Sequence, residues 1–139
     1  EQNKDRYGPH LREMIEIGLG LSATDVARGH ELRRQWTGQL EALYQSVDAI
    51  VCPPTMAPAP PAHLTTALSP DFFTQGRFFG FTMPFTVSGN PSLTVPCGFT
   101  TSGLPMAFQL VGRHFDESRL LQAGHANQSE TNRHNRHPF

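Results

Sequence analysis

The chain has 139 residues and a formal net charge of −1, which fits one domain and carries no electrostatic footprint for nucleic acid or an acidic membrane. Two cysteines, Cys52 and Cys97, are too few for a disulfide framework or a four-cysteine zinc site. No apolar run reaches the ~18 residues that a membrane span needs.

Twelve glycines and twelve prolines, with 37% hydrophobic residues, predict many turns around short elements rather than disorder. Pro9 suits the first position of a short helix through Glu16, which Gly18 and Gly20 would end. The strongest helical pattern follows. Ser22 is a good N-cap and Asp25 can reach back to it. Leu32, Trp36, Leu40, Leu43 and Val47 recur at spacings of three and four, one apolar stripe at helical period. A helix over about 23–46 is predicted. The run Asp48-Ala-Ile-Val-Cys52 before Pro53-Pro54 predicts a strand over about 48–52, buried on both faces.

Residues 53–70 are proline-rich and predict an extended surface loop or lid. Residues 71–85 form an aromatic segment with six phenylalanines: Phe72, Phe73, Phe78, Phe79, Phe81 and Phe85. Core packing accounts for such a cluster. The same residues also suit the apolar wall of a pocket for an acyl or aryl group. Two strands follow, about 92–99 and 105–111, joined through Thr100-Thr-Ser-Gly103 as a hairpin. A closing helix over about 116–128 starts from Asp116 as N-cap, with a thin apolar face of Leu120, Leu121, Ala123 and Ala126. The polar tail is predicted to be extended.

The ionisable residues form no complete catalytic group. There is no Gly-x-Ser-x-Gly elbow, and Ser88 and Ser102 read as turn serines beside Gly89 and Gly103. Lys4 is the only lysine. His134 and His137 are spaced as a pair, but a site needs three ligands and an orienting second shell, and a solvated tail is the simpler reading, so no metal is expected. Neither cysteine has a histidine or helix N-terminus beside it in sequence to make a thiolate, and both are expected to be reduced. No basic segment followed by an apolar one opens the chain, so a cytoplasmic setting is the expectation. The chain starts at Glu1 and its first methionine is Met14, as in a processed, truncated or cloned piece.

An ordered series of short motifs remains: Thr82-x-Pro84-Phe85, Gly89-x-Pro91, Val95-Pro96-Cys97-Gly98, Gly103-Leu104-Pro105, Phe108-Gln109-Leu110-Val111-Gly112 and Phe115-Asp116-Glu117. Upstream stand Ser22-Ala23-Thr24-Asp25 and Val47-Asp48-Ala49-Ile50-Val51-Cys52-Pro53-Pro54-Thr55. Downstream stand Thr131, His134 and Pro138. In this order they resemble the C-terminal part of the amidase signature family across nearly the whole chain. The chain departs from the family at Thr86, where asparagine is usual, and at Asn127 and Arg133, where aromatics are common.

The resemblance implies an α/β fold in which this chain supplies the C-terminal portion of a large mixed β-sheet flanked by helices. It implies an enzyme that cleaves carboxylic amide C–N bonds with a lysine and two serines. No residue of this chain matches the family's segment that carries them, so the chain alone is expected to be inactive. Its partners would be the N-terminal remainder of its own amidase domain and a small-molecule amide, with no nucleic acid, membrane or cofactor. Phe79, Phe81 and Met83 are the expected substrate-binding wall. Two other readings are a non-catalytic binding fragment and the A subunit of a tRNA-dependent amidotransferase. The latter typically carries an acidic residue at the position of Phe79, which favours the amidase. Unpaired sheet edges would make the isolated chain aggregate or form a homodimer.

Overall fold

The computed structural model describes residues 6–62 and 79–135. The later part of the proline-rich loop, Phe72, Phe73 and Phe78, and His137 and Pro138 lie outside the described residues.

The first helix, α1 (Pro9–Leu19), has Pro9 at its start and reaches Gly20 at its end. Gly18 therefore lies inside it rather than ending it. All of its described apolar side chains, Leu11, Met14, Ile15, Ile17 and Leu19, are exposed. Helix α2 (Ala23–Leu43) opens with the capping box between Ser22 and Asp25. The Ser22 side chain, and then its backbone N–H, hold the Asp25 carboxyl below its ordinary range. The helix stops at Tyr44, short of residue 46. Its buried row is Trp36, Leu40 and Tyr44, continued by Val47 after the helix ends, while Leu32 and Leu43 of the expected stripe are exposed. The row advances by fours, so it turns about the axis and only its last part meets the sheet.

Three antiparallel strands form one sheet in the order β1-β3-β2. They are β1 (Ile50–Cys52), β2 (Ser92–Phe99) and β3 (Pro105–Val111). Strand β1 is shorter than the span about 48–52, and Val51 is 64% exposed. The expectation of a strand buried on both faces therefore fails: one face of β1 is uncovered. Pairing does not stop at Pro96. It shifts register between Pro96 and Gly98 and continues to Phe99 opposite Pro105. Gly98, at φ 153, and Gly103, at φ 84, supply the backbone that the bulge and the hairpin turn require.

Between β1 and β2 the described chain forms a helix that the abundance of proline and glycine disguised, α3 (Met83–Ser88). Pro84 sits in its first turn, where no backbone donor is lost. Gly89, at φ 83, ends it in the left-handed region. Helix α4 (Glu117–Glu130) closes the fold against β2. Asp116 occupies the N-cap position without a capping hydrogen bond; its carboxylate meets Arg119 Nε at 3.1 Å instead. The residue before it, Phe115, takes φ 62 and is almost wholly exposed. The buried face of α4 is Leu120 and Gly124, not Leu121, Ala123 or Ala126, which face outward. A Cβ on Gly124 would lie 2.5 Å from Leu93 Cδ2, so glycine is what lets the helix lie this close to β2. The tail turns through a short 3-10 segment, Arg133–Asn135, rather than staying extended.

The result is three layers: α2 and α3, the sheet, and α4. The core between the first two layers is Leu40, Tyr44, Phe85 and Val111, with Val111 fully buried. Burying side chains of this size contributes roughly 1.5–3 kcal/mol each.

Candidate functional site

Buried polar groups fix how these layers meet. Gln109, 2% exposed at the centre of β3, donates from Nε2 to the Phe81 carbonyl at 2.6 Å and to Cys52 Sγ at 3.2 Å. One side chain thus ties the segment before α3 to the end of β1. Trp36 Nε1 donates to the Pro84 carbonyl at 2.8 Å. Asn90 is buried, donates to the Gly112 carbonyl at 2.8 Å and accepts from Ser88 Oγ at 2.6 Å. A buried amide left unpaired would cost about 1–3 kcal/mol, so each of these bonds selects one arrangement of the α3 turn.

The Tyr44 hydroxyl donates to the Val111 carbonyl at 3.0 Å. Arg113 donates to the carbonyls of Tyr44 at 2.6 Å and Val47 at 3.1 Å, satisfying acceptors at the end of α2. Burial pushes the Tyr44 hydroxyl up to about 12, with the neighbouring Cys52 raising it further and Arg113 acting the other way. The group stays neutral and keeps its proton for Val111.

Against this frame lies an open groove of about 830 Å³. One wall is the loop 53–59 that leaves β1. The floor comes from the hairpin: Thr94, Pro96 and Cys97 of β2 with residues 105–107 of β3. Phe81 closes one side. Phe81 is held there by its own carbonyl, the acceptor for Gln109. The lining is apolar apart from two threonines and the Cys97 thiol. No carboxylate, imidazole or ammonium group is among the described lining residues. Such a groove can hold and orient an acyl or aryl group, and its described lining offers no base or nucleophile with an activating partner.

Of the three residues expected to form the wall, the structure brings only Phe81 into the groove. Phe79 is half-buried and Met83 is exposed at the start of α3; neither is among the described lining residues. Sequence reasoning missed the floor, Thr94, Pro96, Cys97 and Met106, because it is assembled by strand pairing. It also missed Gln109, which stood out only as a polar residue in an otherwise apolar strand. Cys52 and Cys97 are both free thiols. No group of three metal-ligating side chains occurs among the described residues, and no described helix is long and apolar enough to cross a membrane.

A family profile described as Amidase matches residues 4–121. The chain is 37% identical over 134 residues to the putative amidase AmiD of Mycobacterium tuberculosis (strain ATCC 25618 / H37Rv), covering 96% of this chain and 28% of that protein. It is 36% identical to the glutamyl-tRNA(Gln) amidotransferase A subunit of Roseiflexus sp. (strain RS-1), covering 95% of this chain and 27% of that protein. Among solved structures, an amidase crystal structure superposes with a TM-score of 0.79 at 23% identity over 93% of this chain and 30% of the other. The chain therefore has the α/β fold of this part of the amidases, and it spans under a third of the length of the relatives it matches.

Proposed function

This chain belongs to the amidase family, and on that premise we propose that it forms the C-terminal part of an amidase domain that hydrolyses the C–N bond of a carboxylic amide. The observation that carries the reading is the apolar groove between the loop 53–59 and the hairpin, with Phe81 fixed at its side. In this reading the groove binds and orients the acyl part of the amide. The lysine and two serines that the family uses come from the preceding part of the domain. Gln109 acts here as a positioning residue: it bonds the backbone of Phe81 and touches no substrate. Phe79 and Met83, beside Phe81 in sequence, complete the wall once the rest of the domain is in place.

The test is Phe81→Ala in an intact amidase that carries this sequence. Removing the ring costs roughly 1.5 kcal/mol of apolar contact with a bulky acyl group. The expected result is about a tenfold fall in kcat/KM for aryl or long-chain amides, with little change for small ones. Equal kinetics on both classes would remove Phe81 from the substrate wall.

The likeness to amidotransferase A subunits supports a second reading, in which the same groove serves glutamine hydrolysis within a complex. Against it stands Phe79, where such proteins typically carry an acidic residue. Glutamine-dependent amide transfer in complex with a partner protein, and no hydrolysis of simple amides, would favour this alternative.

A further inference from the structure

Strand β2 separates two environments by the alternation of its side chains. Leu93 and Val95 face helix α4, where a Cβ on Gly124 would meet both. Thr94 and Pro96 therefore face the other side of the sheet, and both line the groove. The register agrees. Thr94 stands directly opposite Gln109 of β3, whose side chain leaves the same face to reach the Phe81 carbonyl. Pro96 stands opposite Ala107, another residue of the groove.

The polar side chains of the described lining are Thr55, Thr94 and Cys97, and they are not equivalent. The Thr55 hydroxyl already donates to the Ala57 carbonyl at 2.9 Å. The Cys97 thiol is a weak donor and a weak acceptor. The Thr94 hydroxyl has no hydrogen-bond partner among the described residues, and Thr94 is exposed, so water satisfies the hydroxyl while the groove is open. An acyl group that fills the groove expels that water. Where the group is hydrocarbon throughout, the hydroxyl is left unpaired and the lost bond opposes binding. Where the group carries an acceptor at that point, the hydroxyl donates to it and the bond is replaced. With no carboxylate, imidazole or ammonium group in the described lining, a neutral acceptor is the one that fits.

We propose that Thr94 is a specificity-determining residue: its hydroxyl donates to a neutral oxygen, such as that of a ketone or ether, on the acyl group held in the groove. Substrates that bear such an oxygen are then preferred over hydrocarbon ones of the same size. This rests on the amidase reading above and narrows its substrate class to oxygen-bearing acyl and aryl groups. In this division of labour Phe81 supplies apolar contact from the side and Thr94 reads the oxygen from the floor.

The experiment compares para-acetylbenzamide with para-isopropylbenzamide, and the matching meta pair, as substrates of an intact amidase that carries this sequence. Acetyl and isopropyl have nearly the same shape, and only the first offers an oxygen. Within each protein kcat/KM for the acetyl amide is divided by that for the isopropyl amide. Comparing this quotient between proteins removes the different intrinsic reactivities of the two amides. Thr94→Val replaces the hydroxyl by a methyl and stays β-branched. It should lower the quotient of the better-placed pair about three- to tenfold. Thr94→Ser keeps the hydroxyl and should hold the quotient within about twofold. An unchanged quotient in Thr94→Val for both pairs would overturn the proposal. An equal fall in Thr94→Ser would do the same, because it assigns the effect to the methyl group. Loss of both amides together at a constant quotient makes Thr94 part of the groove floor only, which sinks this inference and leaves the amidase reading standing. Should the intact protein hydrolyse no amide, the amidase reading fails. Calorimetric binding of the same amides to the same three proteins then decides the role of Thr94 by the quotient of Kd values, and absence of binding counts against it.

Discussion

The two halves of α2 belong to one helix yet meet different surroundings. The first half, up to Gln35, is exposed and held by local devices: the Ser22–Asp25 capping box and the Glu31 contacts with Arg34 and Gln35. The Arg34 hydrogen bond, then that of Gln35, keep the Glu31 carboxyl below its usual range, yet such exposed pairs add little stability. The second half carries Trp36, Leu40 and Tyr44 into the core and onto the backbone of distant elements. The difference shows that helical pattern alone does not say which part of a helix a fold uses. Helix α1 extends the exposed half, because its described apolar side chains also face solvent.

The sharpest break of this comparison is Leu40→Ala against Leu32→Ala. Leu40 is 4% exposed and Leu32 is 56% exposed. The first change should cost about 3 kcal/mol through lost burial and a cavity. The second should stay within about 0.5 kcal/mol. Urea unfolding of each variant checks the pair, and similar losses would mean that the two halves of α2 are equally buried in solution.

A smaller contrast separates two helix glycines. A Cβ on Gly38 meets nothing within 4 Å, whereas on Gly124 it would meet Leu93. Gly38→Ala should stabilise by about 1 kcal/mol through helix propensity. Gly124→Ala gains the same propensity but forces Leu93 aside, an overpacking cost of about 1–3 kcal/mol, so it should be neutral to destabilising. The melting temperature should rise for Gly38→Ala and stay level or fall for Gly124→Ala.

The smallest effect at neutral pH is the titration of Tyr44. Its folded-state value of about 12 lies above the ordinary 10. The stabilisation is therefore fully present below pH 10 and lost as pH rises towards 12. Melting temperature should fall across that window, and Tyr44→Phe should flatten the fall. An unchanged slope in the variant would assign the alkaline loss to other groups.

What could be read in the sequence follows local chemistry. The capping box placed the start of α2, and turn residues placed the β2–β3 hairpin, because both signals lie within a few positions of the structure they cause. Helix α3 was hidden because Pro84 and Gly89 look like breakers, although one fits a first turn and the other a helix end. Tyr44 was missed because Leu43 and Val47 continued the stripe more simply, and only contact with β3 selects its neighbour. The groove was legible at Phe81 alone. Its floor depends on strand register, which has no signal along the chain, and its rigidity on Gln109, whose one signal is a polar side chain in an otherwise apolar strand.

Tyr44 is held from both ends by residues far along the chain: its hydroxyl by Val111, 67 positions away, and its carbonyl by Arg113, 69 positions away. In kinetic terms, the last turn of α2 can form early but cannot lock until β3 and the turn after it have folded. Contacts of such sequence separation slow folding, because loop-closure entropy must be overcome before they form. Once closed, the same clasp makes the excursion between its ends tolerant of length: doubling a flexible loop adds only about 0.6 kcal/mol to its closure. The loop that walls the groove lies inside that excursion, so its length can change while the α2–β3 junction stays in place.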